Sequence, residues 1–373
     1  MEILAVNAGS SSVKLSLIGD DNRILAEREL DAPHAQVDSQ QLTAALTDGL
    51  DQAQAVVHRI VHGGSRFRGP VAIDAKIRRE LEELTDLAPL HQPKSLAALD
   101  AVAAQLPDVP AIACFDTAFH QTLSPAAATY PLPARWREHW GLRKYGFHGL
   151  SHGWVARRVP ELCPELPKSA RIVSCHLGAG ASLCAIAAGR SVDTTMGFTP
   201  LDGLVMATRS GSLDPGMLLW LLEHERLHED ELAGALEHES GLAGIAGTGD
   251  MREILRRAGK GDETARLALD VYGHRLRALI GAMAAAMAGI DVLVFTGGVG
   301  EHSAEVRSLA ADGLAFLSVE LDADGNANAA PDVEVSAAGA RVKTLVLTAR
   351  EDLEMVRQAT PLLTDAGPGA SGD

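Results

Sequence analysis

Two segments half a chain apart share one pattern: an apolar strand, a turn of small residues, and a second apolar strand. The first runs Ile3-Leu-Ala-Val6, Asn7-Ala-Gly-Ser-Ser-Ser12, Val13-Lys-Leu-Ser-Leu-Ile18; the second runs Arg171-Ile-Val-Ser-Cys-His176, Leu177-Gly-Ala-Gly-Ala-Ser182, Leu183-Cys-Ala-Ile186. Period-2 patterning on both sides of such a turn predicts a β-hairpin. Because each half of the chain opens this way, an internally duplicated architecture is expected. A third strand-then-glycine unit, Asp291-Val-Leu-Val-Phe-Thr296 with Gly297-Gly-Val-Gly300, follows the charge-free run Ala278–Ile290, which reads as a buried helix. Helical spacing fills the intervals at 77–84, 217–226, 253–257 and 264–279, and Pro131 and Pro133 break the middle. Strands alternating with helices argue an α/β fold, and 373 residues suit two domains or one large one. A ligand cleft between the halves is expected.

Composition narrows the function. With 33 Lys and Arg against 49 Asp and Glu, the formal charge is −16, so the chain lacks the basic field that nucleic-acid binding needs. An anionic protein that binds an anionic ligand must do so locally, through backbone N–H groups, a few arginines or a metal. The four cysteines, Cys114, Cys163, Cys175 and Cys184, stand singly, which argues against a disulfide framework and against zinc spacing. No basic leader precedes the first strand, and the 278–290 run is too short to span a bilayer, so a soluble cytoplasmic protein is expected.

Several residues carry chemistry. The first turn, with Gly9, Ser10, Ser12 and Lys14, can form an anion nest for phosphate or can be an ordinary polar hairpin turn. It is not a P-loop, because Val13 precedes Lys14, and neither 178–180 nor 298–300 continues into a dinucleotide fingerprint. Arg59 sits inside the β-like run Val57-His-Arg-Ile-Val61, where a guanidinium is costly unless it meets an anion. Arg209 lies in the turn Thr208-Arg-Ser-Gly-Ser-Leu-Asp-Pro215. Each arginine fits either a structural ion pair or a clamp on a carboxylate and a transferring phosphoryl group. Asp116 ends an apolar strand, and His148 follows Tyr145-Gly-Phe147. Gly149-Leu-Ser-His-Gly153 matches the G-x-S-x-G nucleophile elbow in letters, but the segment before it is a poor strand, so a serine hydrolase is disfavoured. His148 and His152 are four residues apart without the H-E-x-x-H of a zinc site.

Taken together, these segments resemble the acetate kinase family, within the superfamily of acetate and sugar kinases, heat-shock chaperone ATPases and actin. The resemblance rests on Asn7–Lys14, His58–Gly64, Phe115–His120, Tyr145–His152, His176–Ser182, Asp193–Gly203, Thr208–Pro215 and Phe295–Glu301, in that order. It implies a duplicated ribonuclease-H-like, actin-like two-domain α/β fold with an inter-domain active-site cleft. The expected domains are 1–117, completed by a C-terminal helix at about 352–363, and a nucleotide-binding domain at 118–351; 364–373 would be a disordered tail. The implied reaction is reversible, Mg²⁺-dependent transfer of the ATP γ-phosphoryl group to acetate, giving acetyl phosphate and ADP, with Mn²⁺ able to replace Mg²⁺. A homodimer is implied as well.

By the same resemblance, Asn7 and Glu351 serve the metal, while Arg59, Asp116, His148 and Arg209 are catalytic, Arg59 also binding the acid. Val61, Leu90, Phe147 and Pro200 form the pocket for the acetate methyl. Nucleotide binding falls to Lys14, Ser10 and Ser12, to His176, Leu177, Gly178, Ala179 and Gly180, to Asp250, Met251 and Arg252, and to Gly298, Val299, Gly300, Glu301 and His302. A carboxylate is already nucleophilic at neutral pH, so Asp116 reads as an organiser of metal or water rather than a proton acceptor. This chain departs from the family pattern at Ala179 and His302, where Asn is usual, and in Thr348-Ala-Arg-Glu-Asp-Leu353, where Asp352 is a second candidate for the metal. The alternatives are a propionate or other short-chain acid kinase and, from another class, a nucleotide-switched actin- or chaperone-like ATPase.

Overall fold

The computed structural model describes residues 1–9, 12–31, 39–89, 91–224 and 227–365; Ser10, Leu90 and the segment 366–373 lie outside the described residues. The chain divides into two compact units. The first comprises Met1–Gln121, Phe147–Trp154 and the chain from Arg350 on, and the second comprises Thr122–Gly146 and Val155–Ala349.

The first unit is built on strands β1 (Ile3–Ala8), β2 (Ser12–Ile18), β3 (Ile24–Asp31), β4 (Ala55–Ile60), β5 (Val71–Ala72) and β6 (Ala111–Phe115). Their order across the sheet is β3-β2-β1-β4-β6-β5. The hairpin strands pair antiparallel, with Asn7 opposite Lys14, whereas β1, β4 and β6 run parallel. The second unit contains β7 (Arg171–Leu177), β8 (Ala181–Ala187), β9 (Arg190–Thr194), β10 (Val292–Thr296), β11 (Val333–Glu334) and β12 (Lys343–Val346). Its order, β11-β12-β10-β7-β8-β9, is the first order with six added to every strand number, read from the other edge. The pairing directions also agree, with β7-β8 antiparallel and β7-β10-β12 parallel. The duplication read from the two hairpins therefore extends to whole sheets.

Alternation explains how the first sheet holds its layers. Leu4, Val6, Val13, Leu15 and Leu17 project to one face, where they pack with Leu42, Leu46, Leu50, Ala98 and Val102. Ile3, Ala5, Ala55, Val57, Ile112 and Cys114 project to the other, against Leu150, Met355, Val356 and Ala359. Each such large aliphatic side chain contributes roughly 1.5–3 kcal/mol by leaving water. The period of the second face continues past the apolar residues to Asn7, Arg59 and Asp116.

Two expectations need correction. The run 278–290 is not a buried helix of its own. One helix spans Glu263–Ala286, capped by the Asp262 carboxylate on the Thr264 and Ala265 N–H groups. Within it Ile280, Met283 and Ala284 are buried while Ala278, Ala282 and Ala285 face outward, so the lack of charge there reflects small residues tolerated on an exposed face. At the C-terminus the last helix runs Glu351–Asp365 and includes the first two residues expected in the tail; the Thr364 hydroxyl donates to the Thr360 carbonyl at 3.1 Å. Among the described residues, no helix is long and apolar enough to cross a membrane.

Candidate active site

Three parallel strands end side by side in the first unit, and each delivers one polar residue on the face covered by the 351–365 helix: Asn7 from β1, Arg59 from β4 and Asp116 just beyond β6. Arg59 is the centre. Its Nε and Nη2 donate to the Asp116 carboxylate at 3.1 and 2.6 Å, and its Nη1 donates to Asn7 Oδ1 at 3.0 Å. The Asn7 amide donates in turn to Glu351 Oε2 at 2.8 Å, and Arg59 Nη1 lies 3.7 Å from the same oxygen. Asp352 pairs instead with Arg350 at 2.9 Å, so of the two C-terminal candidates Glu351 is the one that joins the cluster.

The cluster is nearly dry. Asp116 is 1% exposed. Burial pushes its carboxyl above the usual carboxylate range; Arg59 opposes that rise and the Glu351 charge adds to it. Burial also disfavours the Arg59 charge, but Asp116 and Glu351 outweigh it and hold the guanidinium above its ordinary value. Two carboxylates against one guanidinium leave a net negative charge.

The segment that returns to this unit at Phe147 completes the surroundings. The His148 N–H donates to the Asp116 carboxylate, and the Gly149 N–H donates to the Asp116 carbonyl at 2.9 Å. His148 reaches this position with φ +54°, a left-handed conformation uncommon outside glycine. Gly149 is required, since a Cβ there would be driven into the Asp116 carbonyl oxygen and would lie 2.9 Å from the Phe119 Cβ. Ser151, the residue of the G-x-S-x-G match, sits fully buried on the helix Gly149–Leu162 rather than on a strand-to-helix elbow, which removes the hydrolase reading. Phe147 and Val61 are buried, at 1% and 6% exposure.

Lys14 and Ser12, expected to face phosphates, lie on β2 and turn to its neighbour β3. Lys14 Nζ is 2.8 Å from Glu27 Oε1, and the Ser12 hydroxyl donates to Glu29 at 2.7 Å. The bond to Glu27 holds the Lys14 ammonium above its ordinary pKa. Ser10 and Leu90 fall outside the described residues.

The second unit gathers most of the remaining candidates. Arg209 Nη1 donates to the Pro200 carbonyl at 3.0 Å, which brings these two expected site residues together, and its Nε is 3.8 Å from Glu237. Burial pulls the Arg209 pKa below its ordinary value, with Glu237 acting the other way. The 206–209 loop is anchored by N–H groups of Ser240, Leu242 and Ala243. His176 and Leu177 end β7, and Gly178, Ala179 and Gly180 form the turn, closed by a Gly178 N–H bond to the Gly180 carbonyl at 3.0 Å. The Ala179 carbonyl accepts from the Ala207 N–H at 3.1 Å. An added Cβ on Gly249 would lie 2.9 Å from the Ala207 carbonyl oxygen, so the Asp250–Arg252 segment begins beside the same loop. Asp250 caps the helix Met251–Ala258 and pairs with the exposed Arg252, while Met251 points inward.

At the end of β10, Gly297–His302 forms a short helix containing Gly298, Val299, Gly300 and Glu301. The Glu301 carboxylate accepts from the Gly297 and Ala349 N–H groups, both at 2.9 Å. Sequence reasoning missed Arg307. It is 2% exposed and donates to the Gly300 and Glu301 carbonyls at 2.9 and 2.8 Å and to Asn326, locking the end of that short helix. On the sequence it is an ordinary arginine in an amphipathic helix, and no motif singles it out.

The acetokinase family profile matches residues 26–357. The chain belongs to the acetokinase family. It is 39% identical to an acetate kinase of Acetivibrio thermocellus, over 97% of this chain and 99% of that one. It is 43% identical to an acetate kinase of Leifsonia xyli, over 96% and 98%. Among solved structures, that of Porphyromonas gingivalis acetate kinase has a TM-score of 0.87 at 33% identity, covering 97% of this chain and 99% of that one. A propionate kinase from Francisella tularensis has a TM-score of 0.88 at 32% identity, covering 96% and 98%.

Among the described residues no group of three His, Cys, Asp or Glu side chains gathers as a metal site. The donor set of this acetokinase-family member is nevertheless suited to a hard cation: Asp116, Glu351 and the Asn7 amide oxygen offer only oxygen atoms, in a cluster with surplus negative charge.

Proposed function

We propose that this protein is an acetate kinase that transfers the γ-phosphoryl group of ATP reversibly to acetate. The observation that carries the reading is Arg59, a strand-end guanidinium already paired with a carboxylate and two residues before the buried Val61, while the residue after the buried Phe147 donates its N–H to that same carboxylate. A small aliphatic acid matches that pairing of a charged edge with an apolar wall. Its carboxylate oxygen attacks the γ-phosphorus, the bond from that phosphorus to the β-bridging oxygen breaks, and acyl phosphate and ADP leave. No proton has to be removed from the acid, so the task is positioning and charge neutralisation.

In this reading Arg59 binds the acid, Arg209 and His148 neutralise the transferring group, and Pro200 and Leu90 contribute to the methyl pocket. The nucleotide is held by 176–180, 250–252 and 298–302 with the first turn, where Lys14 and Ser12 would exchange Glu27 and Glu29 for phosphate oxygens. Asn7, Asp116 and Glu351 would hold Mg²⁺ or Mn²⁺, which supplies charge neutralisation for the polyphosphate. The four free cysteines are all buried, which supports a cytoplasmic setting. For the homodimer the support is the helix Pro215–His224, which buries none of its residues and leaves Met217, Leu219 and Trp220 exposed; sedimentation should find a dimer that Trp220→Glu dissociates.

A propionate kinase is the second reading, favoured by the likeness to the Francisella tularensis enzyme. One experiment tests both: the protein is incubated with Mg-ATP and acetate, propionate or butyrate, acyl phosphate is trapped with hydroxylamine, and rates are compared. Acetate should give the highest kcat/KM. ATP hydrolysis without trapped acyl product would overturn both kinase readings in favour of a nucleotide-switched ATPase.

A further inference from the structure

Around Phe147 the first unit holds an arrangement that the proposed reaction does not call on. His62 follows Val61 at the end of β4 and is fully buried. Gln92, also fully buried, clamps its backbone from both sides: Gln92 Oε1 accepts the His62 N–H at 3.2 Å and Gln92 Nε2 donates to the His62 carbonyl at 3.4 Å. The ring is fixed separately, because the Gly64 N–H donates to His62 Nδ1 at 2.8 Å. Accepting at Nδ1 places the ring proton of the neutral form on Nε2. A Cβ on Gly64, which has φ +60°, would press on the Leu84 side chain, and the Gly63 N–H donates to the Thr117 hydroxyl at 3.0 Å, next to Asp116. The turn is therefore rigid on every side.

Toward the acyl wall the His62 ring is set edge to face on Phe147, with centroids 5.4 Å apart and planes at 75°. An edge-on aromatic contact of this kind prefers a defined distance and tilt. The Phe147 backbone is fixed from elsewhere, by His120 Nε2 donating to its carbonyl at 2.9 Å, so the ring is the part that His62 can steer.

We propose that His62 is a positioning residue for acyl-chain length: by holding the Phe147 ring against the turn that carries Val61, it sets the depth of the pocket for the acid's alkyl group. This rests on the acid-kinase reading above. Burial lowers the His62 pKa to about 4, which keeps the ring neutral and Nδ1 free to accept throughout the neutral range.

Two variants separate the ring from the hydrogen bond. In His62→Asn the side-chain oxygen replaces Nδ1 as acceptor for Gly64 but the ring edge is gone; in His62→Phe the ring stays and the acceptor is lost. With the hydroxylamine trap, His62→Asn should raise the propionate-to-acetate ratio of kcat/KM about tenfold, within what one methylene is worth in a pocket, and leave the KM for ATP within twofold. His62→Phe should keep the wild-type ratio and lower kcat for both acids. A ratio unchanged in a folded His62→Asn would overturn the proposal, as would an equal shift in both variants. If His62→Asn does not fold, Phe147→Leu in a wild-type His62 background must raise the same ratio, and an unchanged ratio there overturns it as well. Failure of this inference differs from failure of the kinase reading, in which the wild-type protein itself would trap no acyl phosphate.

Discussion

Replacing Arg59 by Gln removes the cation that contacts Asp116 in the cluster while leaving the Asn7 and Glu351 side chains in place. The charge-assisted hydrogen bonds from Nε and Nη2 to Asp116 and from Nη1 to Asn7 disappear, and a carboxylate at 1% exposure is left facing Glu351. The cost of that stranded charge has a ceiling, because Asp116 can take up a proton. Relative to an ordinary Asp near pKa 3.9, protonation at pH 7 costs about 4 kcal/mol, which agrees with the ~3–5 kcal/mol typical of breaking a buried pair. At pH 5 the same ceiling falls to about 1.5 kcal/mol. In the variant the native carboxyl is neutral and the unfolded one ionised above pH 3.9, so the unfolded state binds fewer protons and stability falls as pH rises. Urea melts of Arg59→Gln against wild type should accordingly show a deficit that grows from pH 5 to pH 7, and Arg59→Gln/Asp116→Asn should recover most of it. Neither variant should form acyl hydroxamate at more than about one-hundredth of the wild-type kcat/KM, the scale of losing one strong electrostatic group. A deficit independent of pH, or a double variant no more stable than the single, would refute the coupled-pair argument. Recovery of activity in the double variant would reduce Arg59 and Asp116 to a structural ion pair.

Arg209→Met should lower kcat/KM by on the order of 10²–10³, about 3 kcal/mol of transition-state stabilisation, and a near-normal hydroxamate rate would remove Arg209 from the chemistry. Gly149→Ala should lower the melting temperature by an amount corresponding to about 1–3 kcal/mol, because the new methyl has to displace the Asp116 carbonyl or the Phe119 side chain; an unchanged Tm would mean the backbone yields there. Ser151→Ala should leave the kinase rate within a few-fold of wild type, since the hydroxyl lies fully buried on a helix; complete loss of activity in a folded variant would revive a nucleophilic role.

Much of this was legible because the informative residues break a period. An arginine inside Val57-His-Arg-Ile-Val61 and an aspartate closing the run 111–115 stand out once alternation assigns them to the face occupied by Ala55, Val57, Ile112 and Cys114. The hairpins were legible for the same reason. What alternation cannot supply is register between distant strands and the route of the chain through parallel crossovers. That Asn7 meets Glu351, or that Phe147–Trp154 belongs with the first unit, follows from strand order rather than from any local pattern. The Lys14 partner was hidden likewise, since Glu27, which lies opposite Ser16, reaches it diagonally across the register of β2 with β3. Arg307 was invisible because its partners are mainly backbone carbonyls, which carry no sequence signature.

The two sheets also place different residues at equivalent strand ends. Their shared order and register place Asn7 opposite the role of His176, Arg59 opposite that of Thr296, and Asp116 opposite that of Ala349, two residues beyond the parallel partner of β10. In the first repeat these strand ends carry Asn7, the Arg59 guanidinium and the Asp116 carboxylate, with Glu351 added from the last helix. In the second the same positions hold no carboxylate of their own, the Glu301 carboxylate of the short helix after β10 being tied to the Gly297 and Ala349 N–H groups, and glycine turns follow β7 and β10. A polyphosphate brings several negative charges to whichever repeat binds it, in a chain already at −16. Carboxylates left unpaired at those strand ends would repel it at close range in a low-dielectric site, where like charges are least screened. Backbone N–H groups carry no net charge and need no counter-ion of their own. On the kinase proposal the acid would bind at the strand ends of the first repeat, where two carboxylates face one guanidinium, and the nucleotide at those of the second, where the Glu301 carboxylate is tied to backbone N–H groups.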